Sequence, residues 1–141
     1  MKDDPDGAGL RAWLEAFAAS VRGGDYAGAR GLFDAEVVGF GTRTVMMRGL
    51  DDLQARQWRY IWESTRGFGF DPASVVMGRS QDASQGWIAG RWSSEGRGPD
   101  GGWFARHGRA SFVLSRRDGA WRCVHSHHSL DPAPEPLAEP T

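Results

Sequence analysis

The chain is predicted to be an α+β protein in which three N-terminal helices pack on one face of an antiparallel sheet. Two observations predict this class. Apolar residues recur at helical spacing in the first half, and alternating strands separated by glycine-rich turns fill the second. A length of 141 residues fits one domain with a buried core. We expect that domain to span residues 9–131, between a flexible N-terminus (1–8) and a disordered, proline-rich tail (132–141).

The first two helices are predicted from apolar spacing and from their ends. In the first helix the apolar residues follow at i, i+3, i+4, i+7, i+8 and i+11: Leu10, Trp13, Leu14, Phe17, Ala18 and Val21. Gly23 and Gly24 end this helix, because glycine is a poor helix former and is favoured just past a helix end. Asp25 can then cap a second, short helix that runs to about Phe33.

The third helix follows a strand predicted over residues 36–42 and a short extended piece over 44–48. Asp51 and Asp52 lie in its first turn, where carboxylates interact favourably with the helix dipole. Its buried stripe and the residues flanking that stripe are predicted to be Leu50, Leu53, Gln57 and Ile61, with Trp58 and Trp62 beside them. Four further strands are predicted over residues 73–79, 85–96, 103–117 and 120–130.

The composition argues against several classes of function. A formal net charge of −1 gives no electrostatic reason to expect nucleic acid or a membrane as a partner. No apolar run approaches the roughly 20 residues that a membrane helix needs, and the acidic N-terminus is unlike a secretory signal. A single cysteine cannot form an internal disulfide and suits the cytoplasm. We expect no cofactor, since no phosphate loop or dinucleotide fingerprint is present.

Aromatic residues are numerous, with seven Trp and seven Phe, which indicates a pocket, a subunit interface or both. In the strand predicted over 85–96, Trp87 lies on one face while Ile88 and Trp92 lie on the other. Helices can cover only one face of a single sheet, and monomers usually avoid a large exposed apolar patch. We therefore expect a homodimer that buries the second face.

The order of elements resembles the nuclear-transport-factor-2-like superfamily, and within it the SnoaL-like group that includes the calcium/calmodulin-dependent protein kinase II association domain. The resemblance covers about residues 9–131. Three blocks carry it: the first helix into Gly24-Asp25-Tyr26, Val38–Phe40 followed by Arg48–Asp51, and Arg116–His127. It implies a cone-shaped half-barrel with a blind pocket between the helices and the curved sheet, and dimers packed sheet to sheet.

The resemblance also implies what this pocket contains. Ketosteroid isomerases, which share the fold, use an Asp base with Tyr and Asp donors. Their Tyr position falls at Phe17 and their base near Phe40 or Gly41, so that chemistry is expected to be absent. The arginine and histidine sites of the association domain fall on Trp92, Phe112 and His128, with Leu53 at the helical position. The pocket should therefore be more apolar than its relative's and should not favour small anions.

The same match also implies which side chains point to each face of the sheet. The residues predicted to line a ligand pocket are Phe17, Phe40, Leu53, Gln57, Trp58, Trp92, Phe112, Val124 and Ser126, with His128 as the candidate catalytic group. Those predicted to point to the convex side, in a homodimer interface, are Trp87, Arg91, Trp121, His125 and His127, together with Cys123. From the residues alone, Gln57 either meets a backbone carbonyl or faces the cavity, and the tryptophans form either a ligand wall or core.

Cys123, His125 and His127 share a face of one predicted strand, so a zinc or copper site can be imagined there. Ligands from one strand cannot complete a tetrahedral coordination sphere on their own, and structural histidines at an interface are commoner than metal ligands. We therefore predict no metal site.

Three functions remain open from the sequence. The first is a dimeric small-molecule-binding protein whose apolar ligand has one or two polar handles, met by His128, Ser126 and Gln57. The second is an isomerase, cyclase or dehydratase type of enzyme with His128 as general acid or base. The third is an oligomerisation module. Whether the protein is an enzyme is left open.

Overall fold

The computed structural model describes residues 8–140. Its helices are α1 (Ala8–Gly23), α2 (Tyr26–Arg30) and α3, which runs without a break through α-helical Leu50–Leu53, π-helical Gln54–Trp58 and α-helical Arg59–Trp62. Its strands are β1 (Phe33–Phe40), β2 (Met47–Arg48), β3 (Thr65–Phe70), β4 (Val76–Arg79), β5 (Gln85–Arg97), β6 (Trp103–Arg117) and β7 (Ala120–Leu130). None of these helices is long and apolar enough to cross a membrane. The three helices and seven strands of the described chain confirm the predicted α+β class.

The seven strands form one open sheet in the order β2-β1-β7-β6-β5-β3, and β4 also pairs with β5. All neighbouring strands are antiparallel except β1 and β7, which run parallel. The expectation of a purely antiparallel sheet is corrected on this point, because β1 pairs in parallel with the last strand in addition to pairing with its neighbour β2. The sheet is therefore mixed.

The helix α1 lies on what we call the inner face of the sheet. All six residues of its predicted apolar stripe are buried, and Trp13 Nε1 donates to the carbonyl of Leu32 at 2.9 Å. Asp25 caps α2, as predicted, by accepting from the backbone N–H of Gly28 at 2.9 Å. The helix ends at Arg30 rather than near Phe33, because Phe33 already belongs to β1.

The π-helical turn in α3 changes which of its side chains are buried. Leu50, Leu53 and Gln57 are buried as predicted, but Trp58 and Trp62 are buried too, while Ile61 is partly exposed. A π turn adds a residue to the helical repeat, so the side chains that follow it are rotated relative to a regular α-helix. Two tryptophans thereby join the core.

A β-bulge divides β7 into two halves. Val113 of β6 pairs with His125, whereas Leu114 pairs with Cys123, so Val124 is the extra residue. The bulge shifts the alternation of side chains by one position. Trp121 and Cys123 therefore lie in the core on the inner face, which corrects their predicted place on the convex side.

Strand boundaries differ from prediction where glycine interrupts the pattern. The strand β3 was not predicted, since its sequence TRGFGF holds two glycines, and Gly67 has a φ of +68° beside a register shift. The strand predicted from residue 73 begins instead at Val76, because Pro72–Ser74 form a 3-10 turn. Residues 131–140 form no helix or strand, and the flexible segment predicted over 1–8 lies, except for Ala8, outside the described residues.

Candidate functional site

A narrow cavity opens between α1, α3 and the inner face of the sheet. Its volume is about 30 Å³, which holds roughly two water molecules. The lining residues are mainly apolar: Phe17, Val21, Thr42, Gln57, Trp58, Ile61, Trp62, Thr65, Phe68, Trp92, Ser94, Arg106 and His128. No Asp or Glu is among these residues of the described chain. The cavity therefore combines aromatic walls with a few polar groups.

The aromatic walls pack on one another. The rings of Trp58 and Trp62 stack at a centroid distance of 4.8 Å, and the rings of Phe68 and Trp92 lie 5.8 Å apart. Phe17 of α1 contacts Trp58, Trp62 and Phe68 with centroid distances of 6.2 to 6.5 Å. These side chains fill most of the space that a blind pocket would offer.

The π turn of α3 places the amide of Gln57 beside the end of β1. Its Nε2 donates to Thr42 Oγ1 at 3.4 Å, and its Oε1 accepts from the backbone N–H of Arg43 at 3.4 Å. A Cβ at Gly41 would meet this amide, so any larger residue there would force the Gln57 side chain to shift. Gln57 thus both borders the cavity and fixes the loop after β1.

His128 lies on the inner face of β7 with its ring 5.4 Å from that of Phe112 and 5.8 Å from that of Phe17. Burial among these rings, with smaller contributions from the nearby His127 and Arg106, lowers the pKa of His128 to about 4. The imidazole is therefore neutral at pH 7. No residue within 8–140 hydrogen-bonds its ring, so one nitrogen can donate to a ligand and the other can accept.

Three polar residues of the cavity were missed by the sequence reasoning: Thr42, Ser94 and Arg106. The guanidinium of Arg106 donates to Thr42 Oγ1 at 3.3 Å and lies 5.4 Å from the Trp92 ring centroid. Burial lowers the pKa of Arg106. A signal for two of them was present, because alternation from Trp92 along β5 reaches Ser94, and alternation from Phe112 along β6 reaches Arg106.

The structure brings together half of the ten predicted site residues, counting His128 with the nine ligand residues. Phe17, Gln57, Trp58, Trp92 and His128 line the cavity. Leu53, Phe112 and Ser126 are buried on the same side but do not border it.

Phe40 and Val124 do not reach the cavity. Phe40 lies on the opposite, outer face with its ring 5.1 Å from His125 and 5.2 Å from His127, because Gly39 takes the inward position of β1. Val124 is the bulge residue and is only partly buried. Both predictions of a pocket position are thus corrected by the local register of the strands.

The histidines on the outer face are separated from the cysteine by the bulge. The Nδ1–H of His125 donates to the carbonyl of Val38 at 2.8 Å, since a carbonyl can only accept. Cys123 lies on the inner face with no exposed surface, and burial raises the pKa of its thiol. Within residues 8–140, no group of three or more His, Cys, Asp or Glu is placed to hold a metal ion.

The outer face carries the residues predicted for a dimer interface, apart from Trp121. Trp87 is 47% exposed and Val113 is 38% exposed, and both lie in the middle of the sheet. Arg91 is held by an ion pair to Asp131 at 2.9 Å. Apolar and aromatic surface is therefore exposed on this side of the single chain.

The family model of the SnoaL-like domain matches residues 10–134, which is most of the chain. The chain therefore belongs to the SnoaL-like domain family, and the resemblance drawn from the sequence is confirmed. No curated protein matches it.

Solved structures of the nuclear-transport-factor-2-like superfamily share the fold. A protein from Xanthomonas campestris named as a calcium/calmodulin-dependent protein kinase II association domain is similar with a TM-score of 0.77 and 16% identity, over 92% of this chain and 90% of its own. A superfamily protein from Salmonella enterica gives a TM-score of 0.76 at 18% identity, over 94% of each chain. A protein from Streptomyces avermitilis named as a dehydratase gives 0.76 at 16% identity, over 94% of this chain and all 100% of its own. At these identities the likeness shows the fold.

Proposed function

We propose that this protein binds a small molecule through the cavity between α1, α3 and the inner face of the sheet. The observation that carries the proposal is His128, a neutral imidazole among aromatic rings with no hydrogen-bond partner in residues 8–140. Few polar groups in an apolar setting are the usual pattern of a ligand site. The described cavity is small, so a ligand of more than a few atoms has to move side chains such as Trp58 or Trp62.

A second candidate is an enzyme of the proton-transfer type, with His128 as general base or acid. The names of similar structures, a dehydratase and a ketosteroid isomerase-like protein, support this class. The low pKa of His128 argues against an acid role at neutral pH, because the ring then carries no extra proton. As a base it would be weak, since general catalysis is most efficient when the pKa lies near the working pH. Binding is therefore the better supported function.

A thermal-shift screen of polycyclic, terpenoid and carboxylate compounds tests the binding proposal. We expect a ligand that raises the melting temperature of the wild type to do so less in His128→Ala, because the variant loses a donor and an acceptor at the cavity. His127→Ala, one residue away on the outer face, is the matched control and should behave as wild type. A broad library in which no compound raises the wild-type melting temperature would contradict the proposal.

We also propose that the protein is a homodimer joined through the outer face around Trp87, Arg91, His125 and His127. The exposed Trp87 and Val113 support a second copy of the chain as the occupant, since monomers rarely leave such a patch uncovered. Sedimentation at micromolar concentration should give a dimer in the wild type and a monomer in Trp87→Arg. A wild-type monomer would overturn this, and a ring or larger assembly would favour an oligomerisation module.

A cytoplasmic location is part of the proposal, supported by a sole, fully buried cysteine.

A further inference from the structure

Two buried hydrogen-bond donors at the cavity have no acceptor in the described chain. The hydroxyl of Ser94 and the indole N–H of Trp92 are both buried, and neither has a partner within residues 8–140. Both residues line the cavity. Buried polar groups in folded proteins nearly always find a partner, so the chain supplies donors here that call for an acceptor from elsewhere.

The half-buried guanidinium of Arg106 adds a third donor and a positive charge. Its one side-chain hydrogen bond in the described chain goes to the hydroxyl of Thr42. None of the six ion pairs found within residues 8–140 includes Arg106. By contrast, Arg66, Arg91 and Arg117 on the same sheet each meet a carboxylate at 2.9 to 3.1 Å. A cation drawn partly out of water without a counter-charge is unfavourable, and burial accordingly lowers the pKa of Arg106.

The shape and charge of the cavity limit what can meet these donors. No carboxylate of residues 8–140 lines it, so an incoming anion meets no acidic side chain there. A volume of about 30 Å³ admits a group about as large as two water molecules. A planar carboxylate has this size, and it is the partner that a guanidinium fork binds best.

We propose that the cavity binds the carboxylate of a compact organic acid, with the oxygens accepting from Arg106 and Ser94 and the apolar part lying against Trp92 and Phe68. This rests on the proposed ligand-binding function and names its ligand class. The pocket was expected not to favour small anions, because apolar residues occupy the family's arginine positions. Arg106 supplies the charge from a different position of β6. His128, neutral above about pH 5, adds a hydrogen-bond donor without adding charge.

Calorimetric titration with acetate and propionate, each compared with its uncharged amide, tests the inference with acids small enough for the cavity. We expect the acids to bind at least tenfold more tightly than the amides. In Arg106→Gln the affinity for the acids should fall about tenfold to a hundredfold, since hydrogen bonds to charged groups contribute about that much. The amides should bind this variant as they bind the wild type. Arg106→Lys keeps the charge and should retain part of the affinity, and Ser94→Ala should weaken the acids alone.

Arg109→Gln is the matched control, because Arg109 lies on the same strand but is exposed and bonded to Ser129 at 3.0 Å. It should leave the affinity unchanged. Acid affinity should also stay constant from pH 6 to 9, where arginine keeps its charge. Equal binding of acids and amides would overturn the carboxylate site while leaving the ligand-binding proposal in place. If no acid binds, this inference fails, and if the broad thermal-shift screen is also negative, the proposed function fails with it.

Discussion

The two halves of β7, before and after its bulge, both alternate side chains between the faces of the sheet, but their inward residues have different surroundings. Before the bulge, Trp121 and Cys123 point to the inner face and complete a close-packed core. After it, His128 points to the inner face beside a cavity, and His127 points to the outer face. One extra residue, Val124, separates a half whose inward residues pack in the core from a half whose inward His128 borders a cavity. The comparison teaches that the register of a strand, more than its composition, decides which residues can serve a site.

Deleting Val124 should break this comparison most severely. Without the extra residue, either Trp121 and Cys123 or Ser126 and His128 must move to the wrong face, because a shift of one position exchanges the faces of a strand. We expect no cooperative unfolding transition by circular dichroism. Val124→Ala keeps the bulge and should cost only about 1 kcal/mol of unfolding free energy. A deletion variant that melts within a few degrees of the wild type would show that the bulge is dispensable.

The two residues of β6 that pair across the bulge should differ strongly in their cost. Leu114 has no exposed surface and pairs with Cys123, whereas Val113 is 38% exposed and pairs with His125. Leu114→Ala should lower the free energy of unfolding by about 2–5 kcal/mol, because it leaves a cavity in the core. Val113→Ala should cost less than about 1 kcal/mol. Urea denaturation of both variants, at a protein concentration too low for the proposed dimer to form, measures the difference. Equal losses of unfolding free energy would contradict the assignment of faces.

The histidines after the bulge should differ in their effect on acid stability. The pKa of His128 is about 4 in the folded protein against 6.5 for the free side chain, so the unfolded chain takes up the proton first as the pH falls. The contribution of a neutral, buried His128 to the free energy of unfolding is therefore complete above about pH 6.5 and decreases between pH 6.5 and about pH 4. The loss is at most on the order of 3 kcal/mol, since water can enter the cavity beside the ring.

Chemical denaturation at several pH values tests this effect. His128→Gln should remove that part of the pH dependence, because the variant has no group to protonate there. His127→Gln leaves the burial of His128 in place and removes only a smaller contribution to its lowered pKa, so it should keep most of the wild-type slope. An unchanged slope in His128→Gln would show that the ring is hydrated in the folded protein.

Much of the fold could be predicted because its elements follow simple periods. All six residues of the predicted α1 stripe are buried, and β5, β6 and β7 lie within two residues of their predicted bounds. The strand β3 escaped prediction because its two glycines carry no alternating side chains. The parallel pairing of β1 with β7 escaped it too, since it joins residues 87 to 90 positions apart in the sequence and leaves no local signal.

The candidate site was predicted only in part, for reasons that can be named. The family match placed His128 and Trp92 at inward positions, and both side chains border the cavity. Trp121 and Cys123 were misplaced because a bulge at an ordinary valine has no sequence signature. Alternation along β6 from the inward Phe112 reaches Arg106, but the family's charged positions fall on other residues, so the match gave no signal for it.

The central place of β7 has a consequence for how the molecule is made. This strand is synthesised after all the others of the described chain, yet it lies between β1 and β6. Until it emerges from the ribosome, β1 has only the two-residue strand β2 as a partner. The sheet is therefore completed late, through pairing of residues that are far apart in the sequence, and such contacts slow folding. Translation that stops after the hairpin turn at Asp118 should leave β1 as an exposed edge, open to pairing with other chains.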